Sequence, residues 1–170
     1  MKIIQAEHKD LIPVMDTVSA CVAHLREQGI YQWNEMYPTE KVLAEDIRAG
    51  TLYIVHDGET CRGMVVLNQV HDTEWKNAHW SEDCENPLCV HRLIVHPKWQ
   101  NQGVGRALME FACTHAIHNN HDCIRFDAYS GNSRLVETYR RMRCRITGEA
   151  MFPYRELPFL CFEMIVEREN

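Results

Sequence analysis

Residues 91–112 read HRLIVHPKWQNQGVGRALMEFA and contain the transition on which the fold prediction depends. An apolar run at residues 93–95 stops at His96, and after Gly103 and Gly105 apolar residues recur at helical spacing. A strand that gives way to a helix through a glycine-containing turn points unpaired backbone N–H groups outward, at the positive end of the helix dipole. The stretch therefore predicts an anion-binding site at the start of a helix.

The common nucleotide-binding loops do not fit this stretch. A P-loop needs Gly-x-x-x-x-Gly-Lys-[Ser/Thr], which is absent from the sequence, and a Gly-x-Gly-x-x-Gly loop needs a third glycine where Leu108 stands. A domain that binds ATP or NAD is therefore disfavoured. Arg106, in the first turn of the predicted helix, is a candidate for a charge-assisted contact with the anion.

The rest of the chain supplies alternating strand and helix patterns. The turn at Asp57-Gly58 is its strongest hairpin signal. In chain order the patterns predict a strand at 2–6, helices at 10–28 and 39–50 (N-cap Thr39), two strands within 51–70, a strand at 87–95, a helix at 103–118, a strand at 122–129, a helix at 130–142, and strands at 144–152 and 157–167. This order, β-α-α-β-β-β-α-β-α-β-β, predicts one α/β (α+β) domain over residues 1–170, with helices on the faces of a mixed sheet. Residues 70–87 are polar and lack a clean period, so they predict a functional or mobile loop.

Composition limits the classes of partner. With 45% hydrophobic residues, 25% charged residues and a net charge of -6, the chain resembles an ordinary globular protein, and nucleic acid is disfavoured as a partner. Glu7 and Asp10 fall where a signal peptide needs an apolar run, and no stretch of about 18 apolar residues exists. We expect a cytoplasmic protein without membrane association.

The cysteines and histidines are candidates for disulfides and metal ligands. The sequence has 8 cysteines but no export signal and no Cys-x-x-Cys pair, so we expect most of them to be reduced and buried. His115, His118 and His121 invite a metal interpretation, but no carboxylate or thiolate completes a ligand spacing. A polar helix end, where histidines favour the negative dipole, is the preferred interpretation, and no metal is expected.

Two motifs carry a family resemblance. Gln100-x-x-Gly103-x-Gly105, directly after a strand and opening a helix, resembles the pyrophosphate-binding signature of the GNAT superfamily of acyl-CoA-dependent N-acetyltransferases. Further on, DAYSGNSRLVETYRRM places Asn132 and Tyr139 seven residues apart, on one helical face. The order of strands and helices agrees from end to end. The resemblance implies a GNAT-like, mostly antiparallel sheet of about seven strands with helices on both faces.

The resemblance also implies a cofactor site. Acetyl-CoA, as co-substrate, would be wedged where two neighbouring strands splay apart. The residues implied are Leu93, Ile94 and Val95 for the pantetheine, Gln100 and the amides of Gln102, Gly103, Val104, Gly105 and Arg106 for the pyrophosphate, and Asn132 for a further pantetheine contact.

Acetyl transfer to an amine requires a proton for the departing thiolate. A thiol with a pKa near 8.5 is a fair leaving group and a phenol near 10 stays protonated, so Tyr139 suits the role of acid, which the resemblance also implies. The alternative is that Tyr139 is a core residue. His91, on the cofactor strand, is the candidate base, with Glu35 or a water chain as rivals. A backbone N–H near Leu93 or Ile94 would stabilise the oxyanion.

The acceptor pocket is expected from two aromatic segments, IYQWNEMYP and FPYRELPF. Tyr31, Trp33 and Tyr154 would surround the carbon skeleton of an amine, and Glu35 would pair with its cation. The alternative is that the aromatic residues only cover a helix corner. One departure from the family pattern is Arg143-Cys144, where many members carry Gly-Phe or Gly-Tyr, which puts the local turn in doubt.

These residues predict an N-acetyltransferase that moves an acetyl group from acetyl-CoA to a primary amine of a small molecule, or to a protein lysine or N-terminus. The amine would attack directly in a ternary complex. The alternative is a non-catalytic acyl-CoA-binding or sensing module. The sequence is compatible with two oligomeric states, a monomer and a homodimer.

Overall fold

A computed structural model of the chain describes residues 1–34, 36–58 and 60–166. It contains the helices and strands in the predicted order. The strands are β1 Ile3–Gln5, β2 Leu52–His56, β3 Cys61–Asn68, β4 Pro87–Val95, β5 Cys123–Tyr129, β6 Arg145–Ala150 and β7 Phe159–Ile165. The helices are α1 Leu11–Glu27, α2 Glu40–Arg48, α3 Val104–His118 and α4 Ser133–Arg141.

The strands form a seven-stranded sheet in the order β1-β2-β3-β4-β5-β7-β6. The β1–β2, β2–β3, β5–β7 and β6–β7 pairs are antiparallel. β4 pairs with β5 in parallel, where Pro87–Cys89 lies beside Cys123–Arg125. The predicted mixed, mostly antiparallel fold is therefore confirmed, as is the hairpin at Asp57-Gly58.

Side-chain caps fix where two of the helices begin. The Thr39 hydroxyl accepts a hydrogen bond from the Val42 amide at 3.3 Å, as its position predicts for an N-cap. The Asn132 Oδ1 atom accepts one from the Leu135 amide at 3.2 Å. Because Asn132 is the cap, α4 begins at Ser133, later than the predicted residue 130.

The chain folds into two compact units, which are described separately. The first unit comprises Met1–Leu67 and His91–Ala112, and the second comprises Asn68–Val90 and the residues from Cys113 onward. The prediction of one domain over residues 1–170 stays a prediction.

The core of the first unit lies between α1 and the first strands. One face of α1 is buried, at Leu11, Val14, Val18, Cys21 and Leu25. These side chains belong to the same cluster as residues of β2 and β3, which include Leu52, Ile54, Met64 and Val66. Full burial of each aliphatic side chain of this size stabilises the fold by roughly 1.5–3 kcal/mol. The apolar residues whose spacing predicted α1 are therefore the ones that pack against the sheet.

The second unit holds residues 69–86 in place through long-range contacts. The indole N–H of Trp75 donates to Asp127 Oδ2 at 2.6 Å, and the Ser81 amide donates to the Glu163 carboxylate at 3.1 Å. Arg125 pairs with Glu163 at 3.0 Å and also donates to the Cys84 carbonyl. Residues 70–86 of the predicted 70–87 loop are thus packed within this unit, and Pro87 is the first residue of β4.

A disulfide between Cys84 and Cys123 is the departure from the cysteine prediction. The two cysteines are 39 residues apart in the chain and come from the 69–86 segment and β5, so no local spacing signalled the pair. The other six cysteines are free, and all of them except Cys113 are buried, as expected.

Potential metal ligands converge at one place in the described part of the chain. The group comprises Cys84, Cys123 and Glu163, and both of its sulfurs belong to the disulfide. The histidine tract at 115–121 forms no such group among the described residues. None of the described helices combines the length and apolar character needed to cross a membrane.

Candidate active site

The loop between β4 and α3 is closed by its own glutamines. Gln100 Nε2 donates to the carbonyl oxygen of Val95, the last residue of β4, at 3.2 Å. Gln102 Nε2 donates to the Lys98 carbonyl oxygen at 2.8 Å. Asn101 and Gly103 adopt left-handed backbone conformations, with φ of 61° and 83°. These features turn the chain from the strand, through a short 3-10 helix at Pro97–Trp99, into α3.

The first turn of α3 presents the predicted backbone donors. The first bond of the i to i−4 pattern runs from the Ala107 amide to the Gly103 carbonyl oxygen at 2.9 Å. The amides of Val104, Gly105 and Arg106 precede that bond and therefore have no acceptor within the helix. They lie at the positive end of the helix dipole, so this turn suits an anion such as a pyrophosphate.

Packing within the protein does not require a glycine at position 105. A Cβ atom there would meet Val95 Cγ2 at 3.5 Å, an ordinary van der Waals contact. Gly103 differs because its positive φ would strain any L-residue. The fold itself therefore tolerates an alanine at position 105, whereas position 103 favours glycine.

Gly63 of β3 brings the strand against this loop. A Cβ atom at Gly63 would lie 2.9 Å from the Ile94 carbonyl oxygen and 2.9 Å from a methyl group of Val104. Only a hydrogen atom fits there. The end of β4 and the first residue of α3 therefore both pack closely against Gly63 of β3.

The side chain of Arg106 is already engaged. Its guanidinium pairs with Glu110 at 2.7 Å, one helical turn further on, and both groups are exposed. The hydrogen bond and the charge of Glu110 raise the pKa of Arg106. Exposed pairs of this kind contribute little to stability, so an anion at the helix start would compete readily for the guanidinium.

β4, the strand that is predicted to bind the cofactor, contains an irregular residue that the sequence did not signal. Arg92 has φ of 50°, an uncommon conformation inside a strand, where bulges re-aim side chains. Beside it, His91, Leu93 and Val95 are half-buried and Ile94 is buried. The assignment of His91 as base and of the Leu93 or Ile94 amide as oxyanion donor stays a prediction.

Arg92 joins three segments of the first unit. Its Nη2 atom pairs with Asp46 Oδ1 of α2 at 2.7 Å, and its Nη1 atom donates to the Tyr37 hydroxyl. Burial opposes the charge of Arg92, but Tyr37 and Asp46 outweigh it and raise the pKa of the guanidinium. Among the described residues, Arg92 Nε and Asp46 Oδ2 have no hydrogen-bond partner. Leaving a buried polar group unsatisfied costs roughly 1–3 kcal/mol.

The predicted acceptor residues of the first unit fall into different environments. Tyr31 is 58% exposed, so its ring is accessible. Trp33 is 9% exposed and belongs to the hydrophobic core. Glu35 lies outside the described residues. An isolated bridge between Asn34 and Tyr37 folds the segment onto itself.

Tyr139 lies in the second unit, on α4. Its side chain is 5% exposed and its ring contacts Phe126 and Phe162, with centroid distances of 4.7 and 5.5 Å. Burial, together with Cys144 and Asp127, raises the pKa of the phenol above its usual value. The phenol therefore stays protonated at neutral pH, which an acid requires, and it also packs in the core.

The other predicted site residues of the second unit are Asn132 and Tyr154. The Asn132 side chain caps α4, as described above, through its oxygen atom. Tyr154, after β6, is 97% exposed. Neither observation tests the predicted contacts with pantetheine or substrate.

The turn after α4 forms without the glycine that many GNAT members carry. Arg143 takes the left-handed conformation, with φ of 61°. The Cys144 amide donates to the Tyr139 carbonyl oxygen and the Arg143 amide to that of Arg140. This is the Schellman arrangement that normally uses glycine, so the departure changes the residue but keeps the turn.

Comparison with known proteins identifies the family. The model of the Acetyltransferase (GNAT) family matches residues 18–143. YesJ of Bacillus subtilis (strain 168), described as an uncharacterized N-acetyltransferase, is 26% identical over 127 residues, which are 73% of this chain and 70% of YesJ.

Solved structures share the fold. A GNAT acetyltransferase from Streptococcus agalactiae 2603 superposes with a TM-score of 0.81 at 14% identity, over 98% of this chain and 96% of that one. YncA from Salmonella typhimurium, solved with acetyl-CoA, gives 0.71 at 13% identity, over 100% and 96%. Because the family model spans well over half of the sequence and includes the loop and Tyr139, the chain belongs to the GNAT family of acetyl-CoA-dependent acetyltransferases.

Proposed function

We propose that this protein transfers the acetyl group of acetyl-CoA to a primary amine of a small molecule, by direct attack of the amine in a ternary complex. The observation that carries the proposal is the turn at the start of α3, where three backbone amides precede the first helical hydrogen bond and lie at the positive end of the helix dipole. The YncA structure with acetyl-CoA supports the same cofactor for this fold.

The first unit supplies the groups assigned to acetyl-CoA. The amides of Gln102 to Arg106 would bind the pyrophosphate, with Gln100 holding the loop to β4. The backbone of Leu93, Ile94 and Val95 would pair with the pantetheine. Because these donors are fixed before binding, little reorganisation is needed when the anion arrives.

The chemistry needs three functions from the protein. A backbone N–H near Leu93 or Ile94 would stabilise the oxyanion as the neutral amine attacks the thioester carbonyl. The amine's proton would pass to His91 or to water. The phenol of Tyr139 would donate a proton to the departing thiolate.

The acceptor is assigned to a small amine because the first unit holds its aromatic segment firmly. Trp33 is anchored in the core, and Tyr37 is bonded to Arg92. Tyr31 remains exposed beside them in sequence, and Tyr154 is exposed in the second unit. Aromatic rings suit the carbon skeleton of an amine, and Glu35 suits its cation.

Calorimetric titration with acetyl-CoA, CoA, ATP and NAD tests the cofactor part. We expect the two CoA species to bind at micromolar strength or better and the two nucleotides to bind at least tenfold more weakly. Incubation with acetyl-CoA and spermidine, tryptamine, L-lysine or an unblocked peptide, followed by mass spectrometry, tests transfer. Acetylation of the peptide alone would contradict the small-amine assignment, and tight CoA binding with no acetylated amine would favour a sensing module.

A further inference from the structure

We propose that Arg92 is a positioning residue for the amine acceptor. It fixes the 30–38 segment to β4 at the position where the strand is irregular, which is Arg92 itself. The inference rests on the proposed function, because it concerns the acceptor side of the same site. All the residues that carry it belong to the first unit.

Arg92 is the shared partner of two elements that approach β4 from elsewhere in the chain. Asp46 comes from the end of α2 and Tyr37 from the 30–38 segment. The Arg92 guanidinium also lies 5.8 Å from the centre of the Tyr37 ring, within the range of a cation–π contact. Removing Arg92 would therefore release Tyr37 from both contacts at once.

The ion pair is buried, with 12% of the Arg92 side chain and 11% of the Asp46 side chain exposed. A buried pair is poor evidence of a stabilising role, because apolar residues of similar volume often replace such pairs without loss of stability. This one also leaves Arg92 Nε and Asp46 Oδ2 without partners among the described residues, and Arg92 has a positive φ. Buried polar atoms without partners and residues with unusual backbone angles concentrate at functional sites.

The geometry explains what the arrangement would achieve. Within the 30–38 segment, the Asn34–Tyr37 bridge and the bond from the Met36 amide to the Asn34 side chain hold neighbouring residues to one another. Arg92 connects the segment to the strand assigned to the thioester. The position of the segment, and with it the position of Tyr31, is thus set relative to the reacting carbonyl group.

The test uses a double variant, Arg92→Met with Asp46→Leu, which removes both charges and keeps the volume. Tyr37→Phe removes the hydroxyl that accepts from Arg92 and keeps the ring. Arg48→Met, at an exposed arginine on the same helix as Asp46, is the control. Hydrogen exchange of the 30–38 amides, acetyl-CoA affinity and steady-state kinetics are measured. The amine is whichever of spermidine, tryptamine and L-lysine the wild type acetylates fastest.

We expect the double variant to fold, to bind acetyl-CoA within about twofold of the wild type, and to show faster exchange in the 30–38 segment. Its KM for the amine should rise at least tenfold while kcat falls less than threefold, a split that a general loss of stability would not produce. Tyr37→Phe should give a smaller rise, and Arg48→Met none. An unchanged amine KM in the folded double variant overturns the inference alone, whereas a wild type that acetylates no amine overturns the proposed function and the inference with it.

Discussion

The side chain of Gln100 donates to the carbonyl oxygen of Val95 at 3.2 Å, so the first residue of the motif holds the loop to the last residue of β4. The Gln100 side chain is therefore bonded to the protein backbone. It fixes the distance between the strand that is assigned to pantetheine and the helix start that is assigned to the pyrophosphate.

Gln100→Ala should weaken acetyl-CoA binding by roughly 3- to 10-fold, because one hydrogen bond contributes about 0.5–1.5 kcal/mol. Titration calorimetry measures the change. Gln102→Ala is the matched control, since its bond to Lys98 is exposed and lies within the loop. An equal loss in both variants would contradict the special role of the strand contact.

The two motif glycines should respond differently to substitution. Gly105→Ala should leave acetyl-CoA binding nearly unchanged and raise stability by up to about 1 kcal/mol, because the helical backbone favours alanine and the added Cβ has room. Gly103→Ala should cost roughly 1–2 kcal/mol, because its φ is 83°. Urea unfolding measures both.

Gly105→Leu is the companion to this pair, because it would extend a side chain over the amides of the first turn. We expect it to fold and to lose at least tenfold in acetyl-CoA affinity. Wild-type binding by the folded Gly105→Leu protein would show that the anion lies elsewhere.

Tyr139→Phe should lower kcat at least about tenfold and leave acetyl-CoA affinity unchanged, because only the proton donor is removed. The ring contacts with Phe126 and Phe162 do not involve the hydroxyl, so the variant should fold. Steady-state kinetics and calorimetry separate the two effects. A normal kcat would leave Tyr139 as a core residue only.

Stability should fall at alkaline pH because burial raises the pKa of several thiols. The folded-state values are about 12 for Cys21, Cys89, Cys144 and Cys161 and about 11 for Cys61. An unfolded thiol titrates near 8.5, so the folded state binds more protons above that pH. The contribution is complete below about pH 8.5 and is lost as pH rises toward 11–12.

Urea unfolding at several pH values above about 8 measures this slope. Cys21→Ala should make it shallower by roughly 1 kcal/mol per pH unit, since one titrating thiol is removed. Cys113→Ala, at a half-buried free cysteine, is the control. A slope that does not differ between Cys21→Ala and the wild type would contradict the assignment of the effect to buried thiols.

Opening the Cys84–Cys123 disulfide should destabilise the protein. For a sequence separation of 39 residues, loop entropy gives a contribution of roughly 3–4 kcal/mol. Thermal unfolding of a Cys84→Ala, Cys123→Ala double variant measures the loss, and a reducing agent should lower the Tm of the wild type alone. Alkylation of all eight cysteines without reduction would refute the disulfide.

Local sequence determined the elements and the motif. Each depends on neighbours in the chain: Asp57-Gly58 for the hairpin, Thr39 for the start of α2, the apolar spacing of α1, and the glycines before α3. Such signals act over one turn of helix or one tight turn, so they can be recognised from consecutive residues of the sequence. They were sufficient for the order of helices and strands, whereas the mostly antiparallel sheet of about seven strands was predicted from the family resemblance.

Tertiary structure alone decided which distant side chains meet. Arg92 with Asp46, and Cys84 with Cys123, are 46 and 39 residues apart, and no spacing rule connects them. It also placed Trp33 in the core while leaving Tyr31 exposed, although both stand in one aromatic segment. The physical reason is that such contacts form only when the sheet brings remote segments together, and one sequence contains no local signal of that event.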